Sequence, residues 1–142
     1  QLEHDEESER GPHSNAQFHV DTFHPILKAY FLINDTDTTN GAFRYIKSSN
    51  TLSTKQLTRA YIDSNYDYTN PSYQKRYSDE EAEQFGHIEH FSYPRNTLIF
   101  ADTSGLHARG YFSTNKTREL VYIDCRYNPF LEIRNIIKQF LP

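Results

Sequence analysis

The chain has 142 residues, of which 36% are hydrophobic, a low share in which 11 Tyr and 10 Phe carry much of the apolar surface. One domain with a core of aromatic, Ile and Leu side chains is expected. The formal charge of −4 sits in the first ten residues and the remainder balances at 14 acidic and 14 basic side chains, so no basic field exists for nucleic acid or an anionic membrane. The single cysteine, Cys125, excludes an internal disulfide and points to a reducing, cytoplasmic setting. At the end of an apolar run, it reads as a packing residue. No apolar run approaches the length of a membrane span, and no signal-peptide pattern is visible. A start at Gln rather than Met is expected of a processed form or an excerpt of a longer protein.

Residues 1–16 are acidic and without periodicity, which predicts a flexible leading segment. Gln17–Asp21 is expected as a short strand and Ile26–Asn34 as a buried one. Asn40-Gly41 is a turn signal, followed by a strand over Ala42–Lys47. Residues 48–85 change character. A capping box at Ser53 and Gln56 with Leu57, Ala60 and Tyr61 predicts a short helix, and Ser78 caps an acidic turn over Asp79–Gln84. Between them lies a tract dense in Tyr, Asn and Ser, so this stretch reads as a lid-like insertion. Strands resume at Ile88–Tyr93, Thr97–Ala101, His107–Phe112 and Arg118–Arg126. Asn128-Pro129 opens a closing amphipathic helix with Phe130, Ile133, Ile136, Ile137 and Phe140 on one stripe. Short strands joined by turns, with helices outside, predict an all-β double-sheet barrel or jelly roll over residues 17–142.

The chemistry is concentrated in His19-Val20-Asp21, His107 and Arg118. On an extended strand residues i and i+2 point to one side, so His19 and Asp21 can reach one ion while Phe18 and Val20 face the core. Two imidazoles and a carboxylate with open positions are the ligand set of a non-haem Fe(II) facial triad. Arg118, eleven residues beyond His107, stands where such a site could hold the far carboxylate of an oxo-acid cosubstrate, since a guanidinium fork suits a carboxylate. The bland alternatives are a hydrogen-bonded surface pair for His19 and Asp21, a satisfied core residue for His107 and a strand-edge charge for Arg118. Lys28 and Tyr30 alternate on one strand face and are further candidates to touch the cosubstrate. Arg109, two residues from His107, is weighed evenly for the same cavity. His24, His87 and His90 read as non-ligands.

Two blocks, FHVDTFHPILKAYFLINDTDTTNGAFRYIKSSN and RNTLIFADTSGLHARGYFSTNKTREL, resemble the phytanoyl-CoA dioxygenase family of Fe(II)/2-oxoglutarate oxygenases, over roughly Gln17 to Arg126. The resemblance implies a double-stranded β-helix of the cupin-like jelly-roll type. It also implies iron on His19, Asp21 and His107, and 2-oxoglutarate anchored by Arg118. The chain departs from the family's pattern in three places. Lys47-Ser48-Ser49-Asn50 replaces a Pro-Gly-Ser-His stretch, Leu120 stands where a carboxylate-binding Ser is common, and only 18 residues precede His19.

The expected activity is hydroxylation of a small organic substrate, with O2 and 2-oxoglutarate consumed and succinate and CO2 released. The rivals are a non-catalytic jelly-roll binding module keeping a relic metal site, and a cupin-like Zn(II) isomerase or hydrolase. Neither the substrate nor the oligomeric state is legible.

Overall fold

A computed structural model of the protein describes residues 15–22, 25–64, 75–113 and 115–125. Within them the fold is mostly β, with six strands and two helices: β1 (Leu27–Leu32), β2 (Phe43–Ile46), α1 (Thr54–Ser64), α2 (Asp79–Glu83), β3 (Ile88–Phe91), β4 (Leu98–Asp102), β5 (His107–Arg109) and β6 (Leu120–Cys125). The strands form two antiparallel three-stranded sheets, ordered β4-β1-β6 and β3-β2-β5. The all-β expectation agrees with this architecture. The expected leading segment before residue 15, the central tract 65–74 and the closing helix lie outside the described residues.

β1 and β2 are the central strands of the two sheets. β1 (LKAYFL) pairs Tyr30 with Ile99 on one side and Tyr122 on the other. β2 (FRYI) pairs Phe43 with Phe91 and with Arg109. Aromatic and β-branched side chains facing each other across strands are the unit of sheet stabilisation. The core divides accordingly. Phe18, Ile46, Tyr77, Ala82, Ile88, Leu106 and Ala108 cluster on the β3-β2-β5 side, with Val20 and Phe85 packed against them. Leu32, Ile99 and Leu120 form a second cluster reached by Tyr30, Phe91 and Tyr122, which joins the sheets.

Gln17–Asp21 is not a sheet strand. Phe18 bridges Tyr77, and its neighbour His19 bridges His107, each as an isolated pair. Successive residues thus pair to opposite sides, and neither pairing extends far enough to make a ladder. The extended alternation survives: Phe18 is fully buried and Val20 packs in the same cluster, while His19 and Asp21 turn the other way. The helices obey their caps. Gln56 N donates to Ser53 Oγ at 3.2 Å ahead of α1, and at α2 the capping box is complete between Ser78 and Glu81. Cys125 is exposed rather than packed. β6 (LVYIDC) has apolar residues on both faces, and Cys125 falls on the outward set with Val121 and Ile123.

Candidate metal centre

Two short backbone segments bring the three donors together. His19 and His107 face each other with reciprocal backbone hydrogen bonds of 3.0 Å, and Asp21 N donates to Thr103 O at 3.0 Å. The His19 and His107 rings lie 4.4 Å apart, centroid to centroid. His19 Nε2 is 4.0 Å from Asp21 Oδ1, and His107 Nε2 is 3.7 Å from Asp21 Oδ2. One donor atom from each residue fits within a 4.8 Å span, the only such group of three among the described residues.

The rings are oriented for coordination. His19 Nδ1 lies 2.9 Å from Gln17 O, and His107 Nδ1 lies 3.0 Å from Gly105 O. A carbonyl oxygen only accepts, so Nδ1 carries the proton in each neutral ring and Nε2 presents its lone pair toward Asp21. A backbone acceptor behind each imidazole is what fixes tautomer and aim in metal sites. Both imidazoles are held neutral. Burial, then the His107 and Arg76 charges, push the His19 pKa down to about 3 against the opposing pull of Gln17 O and Asp21. Burial also lowers His107, against Asp21 and the Gly105 carbonyl. For Asp21, burial works upward, but His107, hydrogen bonds from Lys28 and Thr103, and the Lys28 charge together hold the carboxyl below its usual range.

A divalent ion fits this donor set in kind: two neutral Nε2 atoms and one ionised carboxylate. With bonds of about 2.1 Å, cis donors sit roughly 3 Å apart, so the three side chains would close by about 1 Å. Lys28 Nζ now stands 2.7 Å from Asp21 Oδ2 as the carboxylate's counter-ion.

The turn delivering His107 is braced from several sides. Asp102 Oδ1 accepts from Ser104 N and Oγ, and Asn50 Nδ2 donates to Asp102 Oδ2 at 3.0 Å. Leu106 N donates to Ser49 Oγ at 2.7 Å. Ser49 and Asn50, which stand where the resembled family differs, therefore support this turn. Tyr45 donates to Asp102 O at 2.9 Å, and it passes so close to Gly105 that a Cβ there would overlap its hydroxyl.

A cavity of about 230 Å³ opens beside the donors, between the two sheets. All six residues singled out by sequence line it: His19, Asp21, Lys28, Tyr30, His107 and Arg118. Arg118 is buried and donates Nη1 to Gly41 O at 2.8 Å. Tyr30 packs on Phe43 at 5.2 Å and on Tyr122 at 6.1 Å, making it part of the wall. Lys28 is tied to the Asp21 carboxylate, a pairing that no spacing in the sequence announces. Arg109 lines the cavity too, and so does Arg76, from the segment before α2, which sequence reasoning missed. Arg44 was also missed. It is 1% exposed, salt-bridges Asp79 at 2.7 Å and donates to Ala16 O and Arg109 O, tying the segment before His19 to β5 and α2. An interior Arg within FRYI gives no advance signal. His87 and His90 are exposed. His24 and the Tyr-rich tract between the two helices, read as part of the lid-like insertion, fall outside the described residues. No helix among the described residues is long and apolar enough to cross a membrane.

No protein-family model, curated protein or solved structure matches this chain.

Proposed function

We propose that this protein is an Fe(II)- and 2-oxoglutarate-dependent dioxygenase of jelly-roll architecture that hydroxylates a small organic substrate. The observation that carries the reading is the pair of imidazoles with Nδ1 held by backbone carbonyls and Nε2 turned to one carboxylate, in a cavity that also contains Arg118. His19, Asp21 and His107 would hold the metal. When bound, Fe(II) with 2-oxoglutarate and O2 supplies the oxidising chemistry, one oxygen atom ending in succinate after loss of CO2 and the other in a substrate C–H bond.

The chain's own residues do the remaining work. Buried neutral imidazoles offer lone pairs without first losing a proton. Arg118, held through Gly41, would pair with the distal carboxylate of the cosubstrate. Lys28 neutralises Asp21 until a divalent cation takes its place, after which its ammonium is available to a cosubstrate carboxylate. Tyr30, Phe43 and Tyr122 supply an aromatic wall that limits water in the cavity. The test is aerobic turnover: protein with Fe(II), ascorbate and 2-oxoglutarate should release succinate, and His107→Ala should not. Equal succinate from both proteins would end the assignment.

One observation favours a second reading, a binding module with a relic site. The Lys28–Asp21 ion pair already neutralises the carboxylate, as a site no longer selected for metal would. In that case Fe(II) would neither raise the melting temperature nor alter ligand binding.

A further inference from the structure

His19 and His107 exchange both backbone hydrogen bonds. A regular antiparallel ladder would next set Gln17 opposite Arg109 and repeat the exchange there. The chain departs from that pattern. Arg109 N donates instead to Asn15 O at 2.8 Å, so the segment ahead of His19 bulges by two residues. Gln17 O, which a regular ladder would direct across to Arg109 N, lies 2.9 Å from His19 Nδ1. The bulge thus gives the His19 ring the acceptor that fixes its tautomer and aims Nε2 at Asp21.

Arg44 fills the place that the lost ladder leaves. It stands on β2, opposite Ala108 of β5. Its Nη2 donates to Ala16 O, inside the bulge, and its Nε donates at 3.3 Å to Arg109 O, the oxygen that Gln17 N would meet in a regular ladder. Nη1 pairs with Asp79 Oδ2 at 2.7 Å. The Phe18 and Tyr111 rings lie 4.8 and 4.6 Å from Cζ. A guanidinium packed on rings has its plane set, and with it the direction of every donor. Burying a cation is costly unless it is paired and hydrogen-bonded, and this one is both. Such a pair adds little net stability over apolar groups of the same size, so its effect lies in the geometry it holds. The two carbonyls it holds stand three residues before His19 and two after His107.

We propose that Arg44 is a positioning residue of the metal centre: by holding Ala16 O and Arg109 O it keeps the chain bulged, which leaves Gln17 O to orient His19. The inference rests on the metal-centre reading only for its consequence at the ion.

The experiment records long-range 1H–15N correlation spectra of the imidazoles in metal-free protein near neutral pH, with peaks assigned through His19→Gln and His107→Gln. In the wild type both rings should carry the proton on Nδ1. Arg44→Met, which keeps an apolar stem beside the two rings, should turn His19 into a mixture of tautomers or to the Nε2–H form. His107, whose acceptor Gly105 O belongs to its own turn, should stay as it is. Arg44→Lys, with a point charge that cannot reproduce the fork, is the milder second variant and should also give a His19 mixture. Ile99→Ala, in the other core cluster, serves as the control for lost stability and should leave both rings unchanged. Mn(II) affinity, followed by electron paramagnetic resonance, should fall about tenfold or more in Arg44→Met and less than about threefold in Ile99→Ala. An unchanged His19 tautomer in both Arg44 variants would overturn the proposal, as would an equal change in Ile99→Ala. If the wild type binds no Mn(II) but Arg44→Met still redistributes the His19 proton, the positioning role stands and the metal reading falls.

Discussion

The two faces of the β4-β1-β6 sheet invert the usual arrangement. An antiparallel sheet commonly turns its apolar face to the core and its polar face to water. Here the face toward the cavity carries Lys28, Tyr30, Tyr122 and Asp124 beside Leu32, Ile99 and Leu120. The outward face carries Leu27, Phe31, Leu98, Phe100, Val121 and Ile123, all exposed, with Phe100 at 62%. Ala29, flanked by Phe100 and Ile123 in register, is the outward residue that they shield. Charge is tolerated inside where it is partnered, as Lys28 is with Asp21. Hydrocarbon outside is unusual for a lone domain and marks a surface that other apolar groups would favour. Polar groups thus gather on the inner face and apolar ones on the outer face of the same sheet.

The largest effects should come from the inner face. Asp21→Ala removes a ligand and strips Lys28 of its counter-ion, so Fe(II) binding by equilibrium dialysis should be lost and the apo protein destabilised by about 2–3 kcal/mol. Asp21→Ala combined with Lys28→Met should recover most of that stability but no iron, which separates the two roles. Undiminished iron affinity in Asp21→Ala would break the account of the inner face. Next in size, Arg118→Ala should keep iron and lose on the order of 2–5 kcal/mol of 2-oxoglutarate affinity by calorimetry. Arg118→Lys should recover only part, since a point charge lacks the fork. Affinity unchanged in Arg118→Ala would move the anchor to another cation of the wall.

Much of this was legible in sequence because strands write their faces in period two. His19 with Asp21 and Phe18 with Val20 could be assigned to opposite sides before any coordinates, and the strand starts fell within a few residues of those expected. Other features depend on distances that no period encodes. The grip of Lys28 on Asp21 needs the strand and the preceding segment to be folded together. Arg76 comes to the cavity from the segment before α2, in a stretch whose sequence has no periodic signature. Arg44 is buried by partners on α2 and at Ala16, neither of which FRYI announces. Cys125 was misread because the parity of a strand apolar on both faces is ambiguous until its partners fix it.

The pH response comes third. An unfolded histidine titrates near 6.5, while burial lowers His107 and brings His19 to about 3. Between these values the unfolded chain binds more protons than the folded one, so stability rises with pH. It should be fully present above about pH 6.5 and fall by roughly 1 kcal/mol per unit through His19 as the solution is acidified, with His107 adding a loss of the same sign. Urea melts at pH 7 and pH 5 measure this directly. His19→Gln should flatten the dependence, and an unchanged slope in that variant would contradict the neutral, buried state of the ring.

The smallest effect belongs to the outer face. Phe100→Lys with Ile123→Lys should change stability by no more than about 0.5 kcal/mol, as substitutions on a solvated surface do, and should abolish binding of an apolar fluorescent dye. A cost above about 2 kcal/mol would mean that the face is covered, and the contrast between the two faces would lose its outer half.

The central claim, that His19, Asp21 and His107 form one metal centre open to an oxo acid, is tested most directly by anaerobic absorption spectroscopy. Fe(II) followed by 2-oxoglutarate should produce a visible metal-to-ligand charge-transfer band that saturates at one equivalent of iron and is absent from His107→Ala. No band at saturating iron and 2-oxoglutarate, or an equal band in His107→Ala, would contradict it.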